Sequence, residues 1–333
     1  MSSETTLNPD LVHDVYGRLK AELEKSIAGQ EEVVNTLMLS LFCQGHCLLV
    51  GVPGLAKTLL VRSIAECIGV KFNRIQFTPD LMPGDILGAE ILHQRQDEIE
   101  FEFQEGPIFT HLLLADEINR TPPKTQSALL EAMQERSVTV AGETRHLEDP
   151  FLVVATQNPI EHEGTYPLPE AQLDRFMFSI HVSYPDKSIE SEIVRRTTRG
   201  IPPKLQTVAT RQEILDVEKI IRAVPVADHI IDYAVEISHA SRPGDETASE
   251  TAKNYIEWGA GPRASQYLVL GAKALALMGG APAPEAKHVR SVAPYVLTHR
   301  IVPNYRATGE SLTNHQIVDQ LLEEVEEPTY SAG

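Results

Sequence analysis

Only three cysteines occur in 333 residues, Cys43, Cys47 and Cys67, an odd number set in or beside apolar runs. That is a poor disulfide framework and fits a reducing compartment. No apolar stretch approaches the roughly 18 uninterrupted residues of a membrane span. The polar start from Met1 to Asp10 lacks the basic-then-apolar order of a secretory signal. These shortages predict a cytoplasmic protein with no membrane span. Basic charge is scarce as well: 29 Lys and Arg stand against 47 Asp and Glu, a formal net charge of −18. This argues against a chain whose main task is gripping nucleic acid, because phosphate backbones are held by clustered cations. A local basic channel remains compatible with it. Some of the acid sits in Glu323-Glu324-Val325-Glu326-Glu327, read as solvated surface. Cys43, His46 and Cys47 carry metal-binding atoms, but they have no second ligand pair and lead straight into an apolar run. They are read as buried packing.

What is present is enough apolar material, 42% of the chain, for two domains with real cores, one large and one small. Leu11, Val15, Leu19 and Leu23, spaced four apart among charges, predict an amphipathic helix packed on the main domain. A second helix is expected from about Gln30. Short apolar runs recur at 70–77, 110–115, 151–156 and 176–182. Leu112-Leu113-Leu114 and Leu152-Val153-Val154 do not alternate, which suits parallel strands covered on both faces. The expectation is a three-layer α/β domain. Two segments break this rhythm, Ile99 to Phe103 and Val138 to Leu147 with Ala-Gly-Glu between its arms, and both read as hairpins. They are either embellishment or a surface that touches a substrate. From Asp186 onward the apolar spacing is helical, without strand-like runs. The predicted organisation is an N-terminal helix in 1–25, a core over 26–185 with two inserted hairpins, and an all-helical domain over 186–333 with an acidic tail.

The most informative segment is Cys-Leu-Leu-Val-Gly-Val-Pro-Gly-Leu-Ala-Lys-Thr at 47–58. An apolar strand delivers a turn of small residues whose amides can converge on anionic oxygens, and the next helix offers its positive end to the same spot. In G-x-x-x-x-G-K-[ST] terms only the second glycine is missing, replaced by Ala56. Gly51, Val52, Pro53, Gly54, Leu55 and Ala56 are the candidate cradle. Lys57 would reach the β and γ phosphates, and Thr58 would hold Mg²⁺. Leu59, Leu60, Ile64 and Ile68 then recur at helical spacing up to Gly69. Fifty-nine residues after Lys57, an apolar strand ends in Asp116-Glu117. Asp116 would serve the metal and Glu117 the attacking water, their opposite directions along the strand dividing the work.

Five motifs together resemble the AAA+ ATPases, and among them the MoxR family. They are Gly-Val-Pro-Gly-Leu-Ala-Lys-Thr at 51–58, Arg-Ile-Gln-Phe-Thr-Pro-Asp-Leu-Met-Pro-Gly-Asp at 74–85, Ala-Asp-Glu-Ile-Asn-Arg at 115–120, Ala-Thr-Gln-Asn-Pro at 155–159 and Pro-Glu-Ala-Gln-Leu-Asp-Arg-Phe at 169–176. Alanine at position 56 is usual in that family. The resemblance spans about residues 25–300 and implies a P-loop domain followed by a helical lid. By the resemblance Asn158 is the sensor that positions the attacking water, the alternative being a simple turn before Pro159. Arg175 matches an arginine finger reaching a neighbouring subunit, the alternative being a surface residue paired with Asp174. Arg263 is similar to a second sensor at the start of a lid helix. Ile27, Ala28, Gly29 and Gln30 resemble the segment set against the adenine ring. Arg120 either reports the neighbour's nucleotide or serves a helix cap or the surface. Asn73 is the candidate polar switch holding Glu117 inactive.

The resemblance implies a Mg²⁺-dependent ATPase that works as a ring, a homohexamer. Its task would be chaperone-like remodelling that matures or inserts a cofactor into a client complex, with a partner protein carrying a von Willebrand factor A domain. The competing expectation is a nucleic-acid motor, for which Arg136, Arg145 and His146 near one hairpin are the available basic groups, set against Glu135 and Glu143.

Overall fold

Apolar runs without alternation become the strands of a sheet buried on both faces. The computed structural model describes residues 8–95, 98–160, 164–198, 200 and 203–328. These form two units, one comprising Gly17–Phe176 with Ile180–Leu215, the other the N-terminal residues to Tyr16, Met177–Ser179 and the chain from Asp216. The first unit carries β1 (Cys47–Gly51), β2 (Phe72–Gln76), β3 (Gly88–Arg95), β4 (Glu98–Glu105), β5 (Leu112–Asp116), β6 (Ser137–Val140), β7 (Glu143–His146) and β8 (Leu152–Gln157). It shares β9 (Phe178–Val182) with the second.

The main sheet has the order β2-β5-β8-β1-β9. Its pairings β2 with β5, β5 with β8 and β8 with β1 are parallel. Leu113, Ala115, Val153 and Ala155 join one apolar cluster with Phe77, Leu129, Met133 and Phe151. Leu112, Leu114, Leu152 and Val154, which alternate with them, are buried too. Parallel pairing brings the C-terminal ends of β1, β2, β5 and β8 to one edge, and the candidate site is built there.

The helix Lys57–Ile68 packs on β2 and β5. It stops at Gly69, whose φ of 71° is the left-handed close that glycine permits. Leu60, Val61, Ile64, Ala65 and Ile68 form its buried stripe, whereas Leu59 is exposed and does not belong to it. In the helix Asp10–Leu23 the buried apolar residues are Val12, Val15, Leu19 and Leu23, with Val12 taking the place expected of Leu11. The helix Lys187–Thr198 belongs to the sheet-bearing unit.

Both predicted hairpins are present. β6 and β7 pair antiparallel about Ala141 and Gly142, with φ of 52° and 85°, the positive pair that a tight hairpin turn requires. The other is longer than the sequence suggested. Ile99 to Phe103 lie within its second strand, β4, and the first strand, β3, starts at Gly88.

The second unit is mainly helical, with Pro262–Met278 packed on Asp228–Ala240 and Ala286–Leu297. It is not all helix, however, because β10 (Ile256–Trp258) and β11 (Val302–Pro303) form an antiparallel ribbon. The acidic run at 323–327 is not all solvated surface either. The Glu324 carboxylate accepts from the Glu250 and Thr251 amides at 2.7 and 3.1 Å, and Val325 is buried. With Ser249 Oγ accepting from the Ala252 amide, the otherwise unpaired first turn of the helix Glu250–Tyr255 is satisfied. Among the described residues no helix is long and apolar enough to cross a membrane. Cys43, Cys47 and Cys67 are buried and form no disulfide, and burial pushes the Cys47 thiol up to about 12.

Candidate active site

At the end of β1 the chain must pass very close to β9. A Cβ on Gly51 would lie 2.5 Å from the Val182 carbonyl oxygen, so glycine is needed there for space. The loop then reaches Ala56, whose φ of 54° and ψ of 22° are left-handed. A second glycine would adopt this conformation at no steric cost, and alanine carries a strain of about 1 kcal/mol. The Lys57 ammonium donates back to the Gly51 carbonyl, bridging the two ends of the loop. Burial lowers the Lys57 pKa, against the opposing pull of Asp116 and Glu117.

A cleft of about 370 Å³ opens over this loop. Gly51, Pro53, Gly54, Leu55, Ala56, Lys57 and Thr58 line it from one side, while Val52 does not. Strand ends supply Arg74, Gln76, Asp116, Glu117, Thr156 and Asn158. The sequence-derived candidates Lys57, Thr58, Asp116, Glu117 and Asn158 therefore share one cavity.

The two carboxylates do not point opposite ways as strand alternation suggested. Glu117 follows β5 with φ 58° and ψ 49°, a left-handed step that returns its side chain to the cleft occupied by Asp116. Thr156, on neighbouring β8, fixes the step: its hydroxyl donates to Asp116 Oδ1 at 2.6 Å and accepts from the Glu117 amide at 2.8 Å. The other Asp116 oxygen, Oδ2, accepts from Arg74 Nε and Nη2 at 3.0 and 2.7 Å. Gln76 Nε2 donates to Glu117 Oε2 at 2.7 Å, and Arg120 Nε lies 3.2 Å from the same oxygen. Arg120 thus pairs with Glu117 of its own chain.

Asn73 does not hold Glu117. Its Nδ2 donates to the Pro107 carbonyl at 2.8 Å, because side chains alternate along β2 and Asn73 shares a face with Ile75 rather than with Arg74 and Gln76. Gln76, which pairs in register with Asp116, is the amide that reaches Glu117.

Asn158 is buried beside Glu117, and its Oδ1 accepts from the Ile160 amide at 3.2 Å, so it also makes the turn before Pro159. Arg175 follows the short helix Glu170–Leu173, half-buried, and is not among the residues lining the cleft. Arg263 stands at the second position of the helix Pro262–Met278 in the other unit. Ile27, Ala28, Gly29 and Gln30 line a second cavity of about 370 Å³ with Ile189. Gly29 has φ +70°, and a Cβ there would meet Ile189 Cγ2 at 2.0 Å. Gln30 Nε2 donates to the Leu55 carbonyl at 3.1 Å, tying this segment to the loop, while its Oε1 is buried with no hydrogen-bond partner among the described residues. His46 uses both ring nitrogens on the backbone, with Nε2 on the Met133 carbonyl and Nδ1 accepting from the Val153 amide, each at 3.0 Å.

Chemically, Thr58 and Asp116 offer hard oxygen donors suited to a small divalent cation. Glu117 and Asn158 offer an acceptor and an amide at the same wall. The profile of the ATPase family associated with various cellular activities (AAA) matches residues 46–178, and that of the AAA lid domain matches residues 248–321. The chaperone MoxR1 of Mycobacterium tuberculosis is 43% identical over 312 residues, which cover 93% of this chain and 82% of that protein. The chain belongs to the MoxR family of AAA+ ATPases. Another relative of this MoxR-family chain is the uncharacterised protein YeaC of Bacillus subtilis, 39% identical over 95% of this chain and 96% of that one. A crystal structure of a provisionally assigned ATPase from Cytophaga hutchinsonii superposes with a TM-score of 0.89 at 40% identity, covering 96% of this chain and 97% of the other.

Reading the sequence missed Arg74, Gln76 and Thr156. The signal for the first two was present: once β2 is placed beside β5, alternation puts both on the face that carries the acid pair.

Proposed function

We propose that this MoxR-type AAA+ protein is a Mg²⁺-dependent ATP hydrolase that acts as a homohexameric ring in the cytoplasm. It remodels a client complex in a chaperone-like way, maturing the client or inserting its cofactor with a partner that carries a von Willebrand factor A domain. The observation that carries the catalytic part is the convergence of Lys57, Thr58, Asp116, Glu117 and Asn158 on one cleft. The loop amides and Lys57 bind the phosphates. Thr58 and Asp116 would hold Mg²⁺, and the fit is supported by Asp116 Oδ2 already accepting a cationic guanidinium. The ion when bound neutralises phosphate charge. Glu117 accepts the proton of the attacking water, and Asn158 orients that water. Arg175 acts in trans on a neighbouring protomer's site, which suits a residue outside its own cleft lining. Arg263 reports nucleotide state to the lid. Ile27 and Gly29 flank the adenine, with Gln30 Oε1, which has no partner among the described residues, as an acceptor for its amino group.

With this reading goes the division of the chain into an N-terminal helix within 1–25, an ATPase core over 26–185 and a lid over 186–333. The two hairpins pass motion to the client. The nucleic-acid motor draws no support from them: Arg145 is held by Glu143 at 2.7 Å and lies over the Phe103 ring at 4.1 Å.

The test is phosphate release and calorimetric nucleotide binding by the full chain. Glu117→Gln is expected to bind ATP as the parent does and to lose turnover by about 10²-fold or more, while Lys57→Ala loses binding. Retained turnover in Glu117→Gln would remove its assigned role. Retained binding and turnover in Lys57→Ala would remove the site.

A further inference from the structure

We propose that Arg74 is a positioning residue that occupies the metal's place on Asp116 and, through Gln76, ties the release of Asp116 to the release of Glu117. This rests on the reading of Asp116 as a metal ligand and Glu117 as the base. The geometry is specific. Thr156 donates once to Asp116 Oδ1, while Arg74 covers Oδ2 with two donors at 3.0 and 2.7 Å, filling both acceptor sites of that oxygen. A divalent ion cannot be accepted at Oδ2 until the guanidinium leaves. The same Nη2 donates to Gln76 Oε1 at 2.5 Å. A guanidinium can only donate, so the amide atom facing it must be oxygen, and this turns Gln76 Nε2 onto Glu117 Oε2 at 2.7 Å. One side chain on β2 therefore fixes the orientation of the amide that restrains the base. When Arg74 departs, the Gln76 amide loses one of the two partners that orient it and keeps only Glu117 Oε2, so its grip on the base weakens. The register of β2 on β5 makes this possible, since Arg74 and Gln76 are two apart on one face and Gln76 lies level with Asp116.

An arginine that served only as a surface ion pair would be indifferent to the metal. Arg74 as a stand-in competes with it. The experiment measures binding of a non-hydrolysable ATP analogue by the full chain across Mg²⁺ concentrations and in chelator, for the parent, Arg74→Ala, Arg74→Gln and Asp116→Asn. Both Arg74 variants are expected to lower the Mg²⁺ concentration that half-saturates the metal-dependent gain in affinity, by roughly two- to fivefold, as suits a pair this exposed. Affinity in chelator should stay within about twofold of the parent, because a uniform change of binding would mark a merely structural role. An unshifted or raised half-saturation in both Arg74 variants overturns the proposal. If Asp116→Asn abolishes the metal-dependent gain while the Arg74 variants do not shift it, only the role of Arg74 falls. If Asp116→Asn leaves that gain intact, the assignment of Asp116 to the metal fails and takes the proposal with it.

Discussion

His46 makes the stability of the sheet-bearing unit depend on pH. The imidazole is buried at the entrance to β1, edge-on to Phe151 with ring centroids 5.7 Å apart. Its Nδ1 accepts from the Val153 amide, and its Nε2 is bonded to the Met133 carbonyl. The folded protein thus uses a neutral ring with one nitrogen free to accept, and a second proton would set an N–H against the Val153 N–H. Burial, with the nearby positive charge of Arg136, lowers the pKa to about 4 from 6.5. Between those values the unfolded chain binds a proton that the folded chain refuses. Stability is therefore complete above pH 6.5 and is lost as pH falls through the window to 4. At about 1.4 kcal/mol for each pH unit, the gap comes to about 3 kcal/mol, a large share of a typical domain's stability. Burial also lowers the pKa of His111 and of His288, so the total slope contains their contributions too. The informative quantity is the difference between the parent and His46→Gln in urea unfolding followed from pH 7 to 4.5. The parent is expected to lose about 2 to 3 kcal/mol more over that range than the variant, which is itself weaker at pH 7. Parallel pH profiles for the two proteins would refute the reasoning.

Gly51→Ala places a methyl carbon 2.5 Å from the Val182 carbonyl oxygen, a backbone atom that moves only if β1 and β9 part. A loss of about 1 to 3 kcal/mol in thermal unfolding is expected, together with weakened nucleotide binding because the same residue opens the phosphate loop. Glu324→Ala removes the acceptor of the Glu250 and Thr251 amides. It should cost about 1 kcal/mol, visible as faster hydrogen exchange in the helix Glu250–Tyr255 and absent from amides of the main sheet.

The parts of the fold legible in the sequence were those with a single physical cause. Leu112-Leu113-Leu114 and Leu152-Val153-Val154 are apolar throughout because both faces of a parallel sheet are covered. Ala-Gly-Glu at 141–143 betrayed a tight turn because Ala141 and Gly142 must take positive φ. The strand β3 was not legible, since Gly88–Arg95 has no strict alternation of its own and its extent is set by pairing with β4. The ribbon β10–β11 is only three and two residues long, too short for any period to declare itself. The same distinction governs the site. Lys57, Thr58 and the acid pair follow from local spacing, whereas Thr156 enters only through the pairing of β5 with β8. Naming Asn73 as the switch left Gln76 unnoticed because the parity of β2 is not written in the sequence, and a one-residue change of parity exchanges the faces of a strand.

That parity also sets the electrostatics of the cleft. A chain with a formal charge of −18 has to receive a polyanionic nucleotide at a wall that carries two adjacent carboxylates. Lys57 and Arg74 line that wall and Arg120 bonds to Glu117, three cations against the two carboxylates Asp116 and Glu117, for a local balance of +1. Had β2 turned Asn73 and Ile75 to the cleft instead of Arg74 and Gln76, the balance would be zero and Asp116 Oδ2 would have no counter-charge. Arg74 and Arg120 offset the two acids, so the surplus charge that meets a phosphate chain is that of Lys57. Its attraction acts over about 8 to 10 Å at physiological salt, short enough to be local to the cleft and blind to the acidic remainder of the surface.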